Sequence, residues 1–359
     1  MIFMRKFKLV VSDFHIGDGP FDEKGAINIA EEFRDDRKFE EFLTHYCGKE
    51  FDSSEIELII DGDFFNMLEV KVDGKLHDVI TESLSRVKME KIIAGHPILF
   101  NGLQHFAHFP HRTITFITGN HDQPLLFKGV QNLLARRIQA PMVFHSLSYY
   151  FKGVYIEHGH QYSPSNAFET QRLFLTHKLK EPVLNLPWGS LFVVKVVGDL
   201  KQERPFIDKV KPFRWYLFWG LRHDFVFSVK ALAKVLAFFF KTRLVRSRWR
   251  RSRFRDTLGM LLEGFYQPKV ERFAKQILES GECHTVVLGH THHYAFRRYG
   301  EGKEYFNTGT WNDVISLHVA NLGRQNRCTY VLLEEIEGRW RGKLREWRGH
   351  PSVDEDVLY

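Results

Sequence analysis

The chain has 359 residues, with 43% hydrophobic and 26% charged side chains, enough for one large α/β domain carrying an insertion or for two domains. This balance excludes intrinsic disorder and fibrous repeats as descriptions of the whole. The net charge of +7 is uneven: residues 201–255 hold 16 Lys/Arg against 3 Asp/Glu, while the remainder holds 35 against 41. An acidic body with one basic segment points to an anionic partner surface, membrane or nucleic acid.

The N-terminal run before Asp13 is too short for a secretory signal. Residues 8–13 (KLVVSD), 57–63 (ELIIDGD) and 113–120 (TITFITGN) are short apolar runs that end in polar or glycine turns, the pattern of buried strands in α/β units. The intervening 25–46 and 79–108 are helix-compatible, and 142–159 reads as a hairpin turning at Lys152-Gly153. From about 165 to 280 helical signals dominate. Strands return at 284–290, 294–311 and 328–347, the last two as hairpins around 300–302 and 337–338. The tail from Pro351 is acidic. The apolar run Phe225–Phe240 has 16 residues and is interrupted by Lys230 and Lys234, short of the roughly 20 a membrane span needs. Cys47, Cys283 and Cys328 form no C-x-x-C pair, so neither a disulfide framework nor a thiolate zinc site is expected. A cytoplasmic protein is expected, soluble or peripheral on the inner face of the membrane.

Five short motifs fall where strands end: Asp13-Phe14-His15, Gly62-Asp63, Gly119-Asn120-His121-Asp122, His158-Gly159-His160 and Gly289-His290-Thr291-His292. Strand carboxyl ends are where α/β sheets bind ligands. The donors are oxygen and imidazole without thiolate, which suits Mn, Fe, Zn or Co.

In this order the motifs resemble those of the calcineurin-like metallophosphoesterase superfamily, over about 1–160 and 280–335. The resemblance implies a four-layer α/β sandwich, two mixed β-sheets flanked by helices, with metals at one edge. It implies that Asp13, His15 and His292 hold one divalent ion, that Asn120, His158 and His290 hold a second, and that Asp63 bridges them. Two such ions share a hydroxide and clamp a phosphoryl group for in-line attack. His121 would face the phosphate, stabilising charge or protonating the leaving oxygen. Relatives often carry an Asp three residues after the GD motif to orient this histidine. Here that residue is Asn66, which supplies no charge and weakens the case for a strong general acid.

Other candidates have plainer readings. Asp122 is expected to shape its loop and Glu157 to be a strand residue. His160 and His293 adjoin proposed ligands and are either support for them or loop residues. His105, His108 and His111 look like a cluster, but Pro110 breaks any helix there, so a solvated edge is expected.

The resemblance divides the chain into a core (1–164 and 281–350), a helical, basic and aromatic cap (165–280) and an acidic tail (351–359). In the cap, Lys230, Lys234 and Lys241 fall within about 40° on a helical wheel among Phe, Val, Leu and Ala. Seven arginines follow between Arg243 and Arg255, with Trp249 and Phe254. Contact with an anionic bilayer, packing on the core, and nucleic-acid binding are all compatible with this pattern.

Within the superfamily the insert looks most like that of the UDP-2,3-diacylglucosamine pyrophosphatases of lipid A synthesis, manganese enzymes with a helical lid at the same place. The departures are His121, where they usually have Arg, the longer lid, and the segment after His158-Gly159. The expected function is a dinuclear-metal phosphoesterase or pyrophosphatase, most readily with manganese, acting on a membrane-associated phospholipid or glycolipid. The alternatives are hydrolysis of soluble nucleotides or nucleic acid, and a non-catalytic membrane scaffold.

Overall fold

The computed structural model describes residues 4–21, 25–28, 31–205, 207, 209–211, 213–244, 270–300, 302–317 and 322–349. In chain order its strands are β1 (Arg5–Val11), β2 (Ser54–Asp61), β3 (Arg112–Ile117), β4 (Val143–His145), β5 (Ser148–Phe151), β6 (Val154–Glu157), β7 (Phe174–Leu175), β8 (Val183–Leu184), β9 (Val210–Lys211), β10 (Thr285–Leu288), β11 (Ala295–Arg298), β12 (Glu304–Asn307), β13 (Val314–Ser316), β14 (Gly323–Gln325), β15 (Cys328–Ile336) and β16 (Arg339–Trp347).

Six strands form a mixed sheet in the order β16-β15-β1-β2-β3-β4, and five form a second in the order β11-β12-β10-β6-β5. In the first sheet β1 to β4 run parallel, with β15 antiparallel to β1. In the second, β6, β10 and β12 run parallel. Alternation along each strand sends neighbouring side chains to opposite faces. Val10, Ile59 and Ile117 of the first sheet thus meet Val154, Ile156, Val287 and Phe306 of the second in one buried layer. Leu9, Val11, Leu58 and Ile60 face the other way, onto the helices α1 (Asp36–His45), α2 (Glu82–Gly95), α3 (Pro97–His108) and α4 (Lys128–Ile138). The second sheet's outer residues Val286, Leu288 and Tyr305 are covered by the helix Val270–Glu279. The result is the expected mixed α/β arrangement of two sheets flanked by helices.

Three local readings change. Residues 142–159 are not one hairpin: β4 pairs parallel to β3 in the first sheet, and only β5 and β6 form the hairpin, in the second. The helix-compatible stretch 25–46 is helical only from Asp36 among the described residues, and ahead of it Glu31 accepts from the backbone N–H groups of Gly17 and Gly19. The helix Val270–Glu279, counted by sequence with the cap, belongs to the outer layer of the second sheet, where Ala274 and Leu278 are buried.

The segment expected as a cap contains α5 (Trp188–Phe192), a π-helical turn over Val193–Val197, α6 (Gly198–Glu203), α7 (Phe213–His223) and α8 (Phe225–Leu244). Trp188, Leu191, Val194, Leu200, Phe227 and Phe238 join the main hydrophobic cluster, so the cap shares its core with the body. It is also tied at one edge, where β9 pairs with β13. The arginine run from residue 245 onward lies outside the described residues. No helix among the described residues is long and apolar enough to cross a membrane.

Candidate metal centre

The five motifs leave the carboxyl ends of β1, β2, β3, β6 and β10. Parallel register sets Val11 beside Ile60 and Ile60 beside Phe116, so the loops that follow share one edge. Leu288 pairs with Glu157 in the second sheet, bringing the loops after β6 and β10 to the same edge. Asp13 (φ 57°), His15 (50°), Asp63 (49°), His290 (68°) and His292 (59°) all hold left-handed backbone. Each such non-glycine residue costs on the order of 1–3 kcal/mol and persists only where its surroundings enforce it. Here the first two loops enforce it on each other: Asp13 N donates to Gly62 O (3.1 Å), His15 N to Asp63 O (2.9 Å) and Asn66 N to Ile16 O (2.8 Å).

The side chains converge in three overlapping groups: Asp13, His15 and His292; His15, Asp63 and His121; Asp63, His158 and His290. Within each group the ligand atoms lie within 4.8 Å of one another. His292 Nε2 is 3.3 Å from Asp13 Oδ1, and His15 Nε2 is 3.1 Å from His292 Nε2. Asp63 Oδ2 is 3.1 Å from His158 Nε2 and 3.9 Å from His15 Nε2, so this one carboxylate reaches both outer groups. Asp13, His15, Asp63, Asn120 and His158 are buried. Asp13 Oδ1 and Asn120 Oδ1 have no hydrogen-bond partner. Buried acceptors are ordinarily satisfied, and hard oxygen donors beside neutral imidazoles fit divalent ions. The groups Asp13, His15, His292 and Asp63, His158, His290 therefore fit divalent ions, with Asp63 in reach of both and the Asn120 amide oxygen buried and unpartnered.

Supporting contacts fix the donors. His158 Nδ1 bonds the Asp61 carbonyl (2.7 Å), leaving Nε2 for the site. Asp13 Oδ2 accepts from Ser12 Oγ and from His290 N (3.0 Å), which aims Oδ1 the other way. Asp122 accepts from Gly119 N (2.6 Å) and Phe64 N (2.9 Å), locking two loops together without entering the cluster. Its carboxyl is pushed up to about 7 by burial and by Asp63. His121 N donates to Asp63 Oδ1 (2.7 Å), and His121 Nδ1 sits 3.0 Å from Asn66 Oδ1. Asn66 thus occupies the orienting position expected for it and brings an amide dipole instead of a charge.

Burial and the neighbouring His121 hold His15 down to about 3, and burial with His158 holds His290 down to about 3. Both imidazoles are therefore neutral at pH 7, the form that ligates metal. His158 behaves oppositely. Burial works against its charge, but Asp63 and Asp13 outweigh burial and raise it well above the ordinary histidine range. A proton there must leave when a cation takes its place between the carboxylates.

The remaining histidines sort by location. His160 is buried, 4.2 Å from the Phe168 ring and 5.6 Å from that of His158, centroid to centroid, with neither ring nitrogen hydrogen-bonded. His293 is exposed, as are His105, His108 and His111, which do not join the centre. Glu157 is buried in β6 and accepts from Tyr155 Oη (2.5 Å) and Tyr162 Oη (2.8 Å).

Several residues that hold the centre were not legible as such. Thr310 Oγ1 donates to Asp13 O (2.5 Å), Thr308 Oγ1 lies 2.5 Å from Ser12 Oγ, and Asn307 Nδ2 donates to Gly289 O (2.8 Å). The run Asn307-Thr308-Gly309-Thr310 after an apolar strand is the signal that could have found them. On the other side Lys201 of α6, nearly buried, bridges Glu32 (2.8 Å) and Glu69 (2.6 Å). Burial alone would raise Glu32, but Lys201 and then His15 hold it well below the ordinary carboxylate range. Helix α6 is therefore anchored within electrostatic reach of the centre.

The Asp13–His15 loop is also held from behind. Buried His96 lies 2.8 Å from Asp36 Oδ1 and 3.4 Å from Glu31 Oε2, and Glu31 in turn binds Gly17 N and Gly19 N. Burial opposes charge on His96, but Asp36 and Glu31 outweigh it and raise it from 6.5 to about 9. A raised folded value stabilises below pH 6.5 and is lost as pH climbs through 9, a contribution on the order of 3 kcal/mol. His96→Ala is expected to lower the melting temperature at pH 6 markedly more than at pH 9.5. Equal loss at both pH values would show that packing, not charge, is what His96 contributes.

No protein-family model matches the chain, and no curated protein matches it. Solved structures of similar shape do. A dimetal phosphatase from Danio rerio is 8% identical, with 95% of this chain and 98% of that one covered and a TM-score of 0.35. A predicted phosphoesterase from Streptococcus pneumoniae TIGR4 is 11% identical, with coverages of 98% and 95% and a TM-score of 0.32. The calcineurin-like phosphoesterase YfkN from Bacillus subtilis is 10% identical, with coverages of 97% and 92% and a TM-score of 0.35. At such identities and scores, chemistry has to be argued from the residues of the centre themselves.

Proposed function

We propose that this chain is a dinuclear-metal phosphoesterase or pyrophosphatase. The observation that carries the reading is Asp63, a buried carboxylate shared by two groups of ligands at one sheet edge. Two divalent ions at such a site supply Lewis acidity that clamps a phosphoryl group and lowers the pKa of the attacking water. Asp13, His15 and His292 would hold one ion, and Asn120, His158 and His290 the other. With its Nδ1 on Asn66, His121 has Nε2 left to donate to a phosphoryl or leaving-group oxygen. Because the amide adds no charge behind it, we expect good leaving groups to be favoured. Asn66→Asp would stabilise the imidazolium and raise hydrolysis of alkyl phosphates relative to p-nitrophenyl esters. An unchanged ratio would remove His121 from leaving-group protonation.

For the metal we propose manganese, which suits a donor set of carboxylate, amide oxygen and imidazole. For the substrate we propose a membrane-associated phospho(glyco)lipid such as UDP-2,3-diacylglucosamine. The support is the cap: apolar, basic, and joined to the body beside the centre through Lys201. The test is hydrolysis of bis-p-nitrophenyl phosphate, p-nitrophenyl phosphate and UDP-2,3-diacylglucosamine with Mn²⁺, and again with EDTA. Chelator-sensitive cleavage of the lipid supports the whole reading. Cleavage of the aryl esters alone keeps the chemistry and rejects this lipid in favour of another substrate, nucleotides and nucleic acid included. No chelator-sensitive cleavage of any of the three rejects the reading.

A further inference from the structure

A helix apolar over most of its circumference is normally buried over most of it, and α8 is not. Its inward face is covered: Phe227 and Phe238 are buried, and Trp188 packs on the Phe238 and Phe239 rings at 5.1 and 5.6 Å. Its outward face is equally apolar and lies open. Phe225 (63% exposed), Val226 (81%), Val229 (44%), Leu232 (51%), Leu236 (47%) and Phe240 (67%) are all on it. At 3.6 residues per turn and 1.5 Å rise these six fall within about 120° of arc along about 22 Å of helix. A continuous exposed apolar stripe of this kind marks an interaction surface.

The charges beside the stripe identify what it meets. Lys230, Lys234 and Lys241 run along one long edge of it. Lys230 and Lys234 pair with Glu203 and Asp199 of α6, so those two lysines serve first to fasten α8 to the cap. Residues 198–244 carry ten Lys/Arg against four Asp/Glu, and with Lys201 buried against Glu32 and Glu69 a surplus of five positive charges is left in the segment. A second copy of the chain would bring a segment of the same positive sign. An anionic lipid surface brings the complement. Trp219, 54% exposed on α7 near the turn into α8, supplies the amphipathic ring typical of the headgroup level. Because the lysines lie along the helix and not at its ends, the helix suits lying in the interface plane, not crossing it.

We propose that the outward face of α8 is a docking surface for an anionic lipid bilayer, with the helix lying in the plane of the membrane. This deepens the lipid-substrate reading of the centre and rests on it for its biological sense, while its observations are separate. The lysine ties to α6, and the bridge from Lys201 to Glu32 and Glu69, connect this surface to the metal centre through packed structure.

The test is cosedimentation of the full chain with vesicles of phosphatidylcholine alone and of phosphatidylcholine with phosphatidylglycerol. It is run on the wild type and on Leu232→Glu/Leu236→Glu. The wild type is expected to bind the anionic vesicles at least ~10-fold better than the neutral ones, and the double variant to lose that binding by a similar factor. Metal content and bis-p-nitrophenyl phosphate hydrolysis should be unchanged, because both leucines are exposed and outside the centre. If the double variant loses activity as well, Ala233→Glu, a single change on the same face, repeats the binding test. Wild type left in the supernatant, or equal binding by wild type and variants, would overturn the proposal. So would a wild-type dimer in sedimentation velocity that the substitutions dissolve without any vesicle binding. Vesicle binding without cleavage of the lipid substrate would keep this surface and reject only the substrate.

Discussion

Asp63→Ala should abolish hydrolysis of bis-p-nitrophenyl phosphate, by roughly 10³-fold or more, and lower bound metal below two ions per chain. The size of the effect follows from position. Asp63 Oδ2 lies 3.1 Å from His158 Nε2 and 3.9 Å from His15 Nε2, and Oδ1 accepts from His121 N. One substitution therefore removes the shared carboxylate, the charge that offsets His158, and the bond that seats the His121 loop. Alanine leaves β2 intact, but it strands buried His158 without its partner, so the melting temperature of the metal-free protein should also fall. Rate and metal content read together separate the roles. Lost activity with two ions still bound would mean that Asp63 orients and does not bridge.

Gly119→Ala should cost nearly as much although glycine has no reactive group. A Cβ at this position would overlap the Asp63 backbone nitrogen and its Oδ1. The obstacle is backbone, which cannot rotate aside, and Asp63 is already held in left-handed conformation at φ 49°. Relief requires the loops after β2 and β3 to separate, which displaces Asn120 and His121 together. A displacement near 1 Å at a reacting centre can cost about 10²-fold in rate, and we expect that loss or more, with weakened metal retention. Gly129→Ala serves as control, because its Cβ would meet mainly the flexible Glu82 side chain, and it should keep activity. Wild-type rates in Gly119→Ala would mean the two loops are not held in register by this contact.

Much of the centre was legible because strand ends carry their own signature. An apolar run followed by Asp, Gly-Asp or Gly-Asn-His names the element and the donor at once, and parallel register then gathers those ends at one edge. What was not legible came through partners distant in sequence. Glu31 looks like a helix residue, yet its carboxylate binds the backbone of Gly17 and Gly19, and the helix starts only at Asp36. The strand Val143–His145 reads as half of a hairpin, yet it pairs with β3, because nothing local states which sheet an edge strand joins. Helix α8 was ambiguous for a different reason. With Phe, Val, Leu and Ala everywhere outside the narrow stripe of Lys230, Lys234 and Lys241, periodicity cannot say which apolar face the core takes. In the structure Phe227 and Phe238 go inward and Leu232 and Leu236 do not.

The most direct test of the central claim is a metal titration. The chain is stripped with chelator, Mn²⁺ is returned in increments, and the initial rate of bis-p-nitrophenyl phosphate hydrolysis is followed. A site with two ligand groups sharing Asp63 predicts a rate that rises to a plateau at about two equivalents per chain. A plateau at one equivalent, or a rate indifferent to metal, would contradict it.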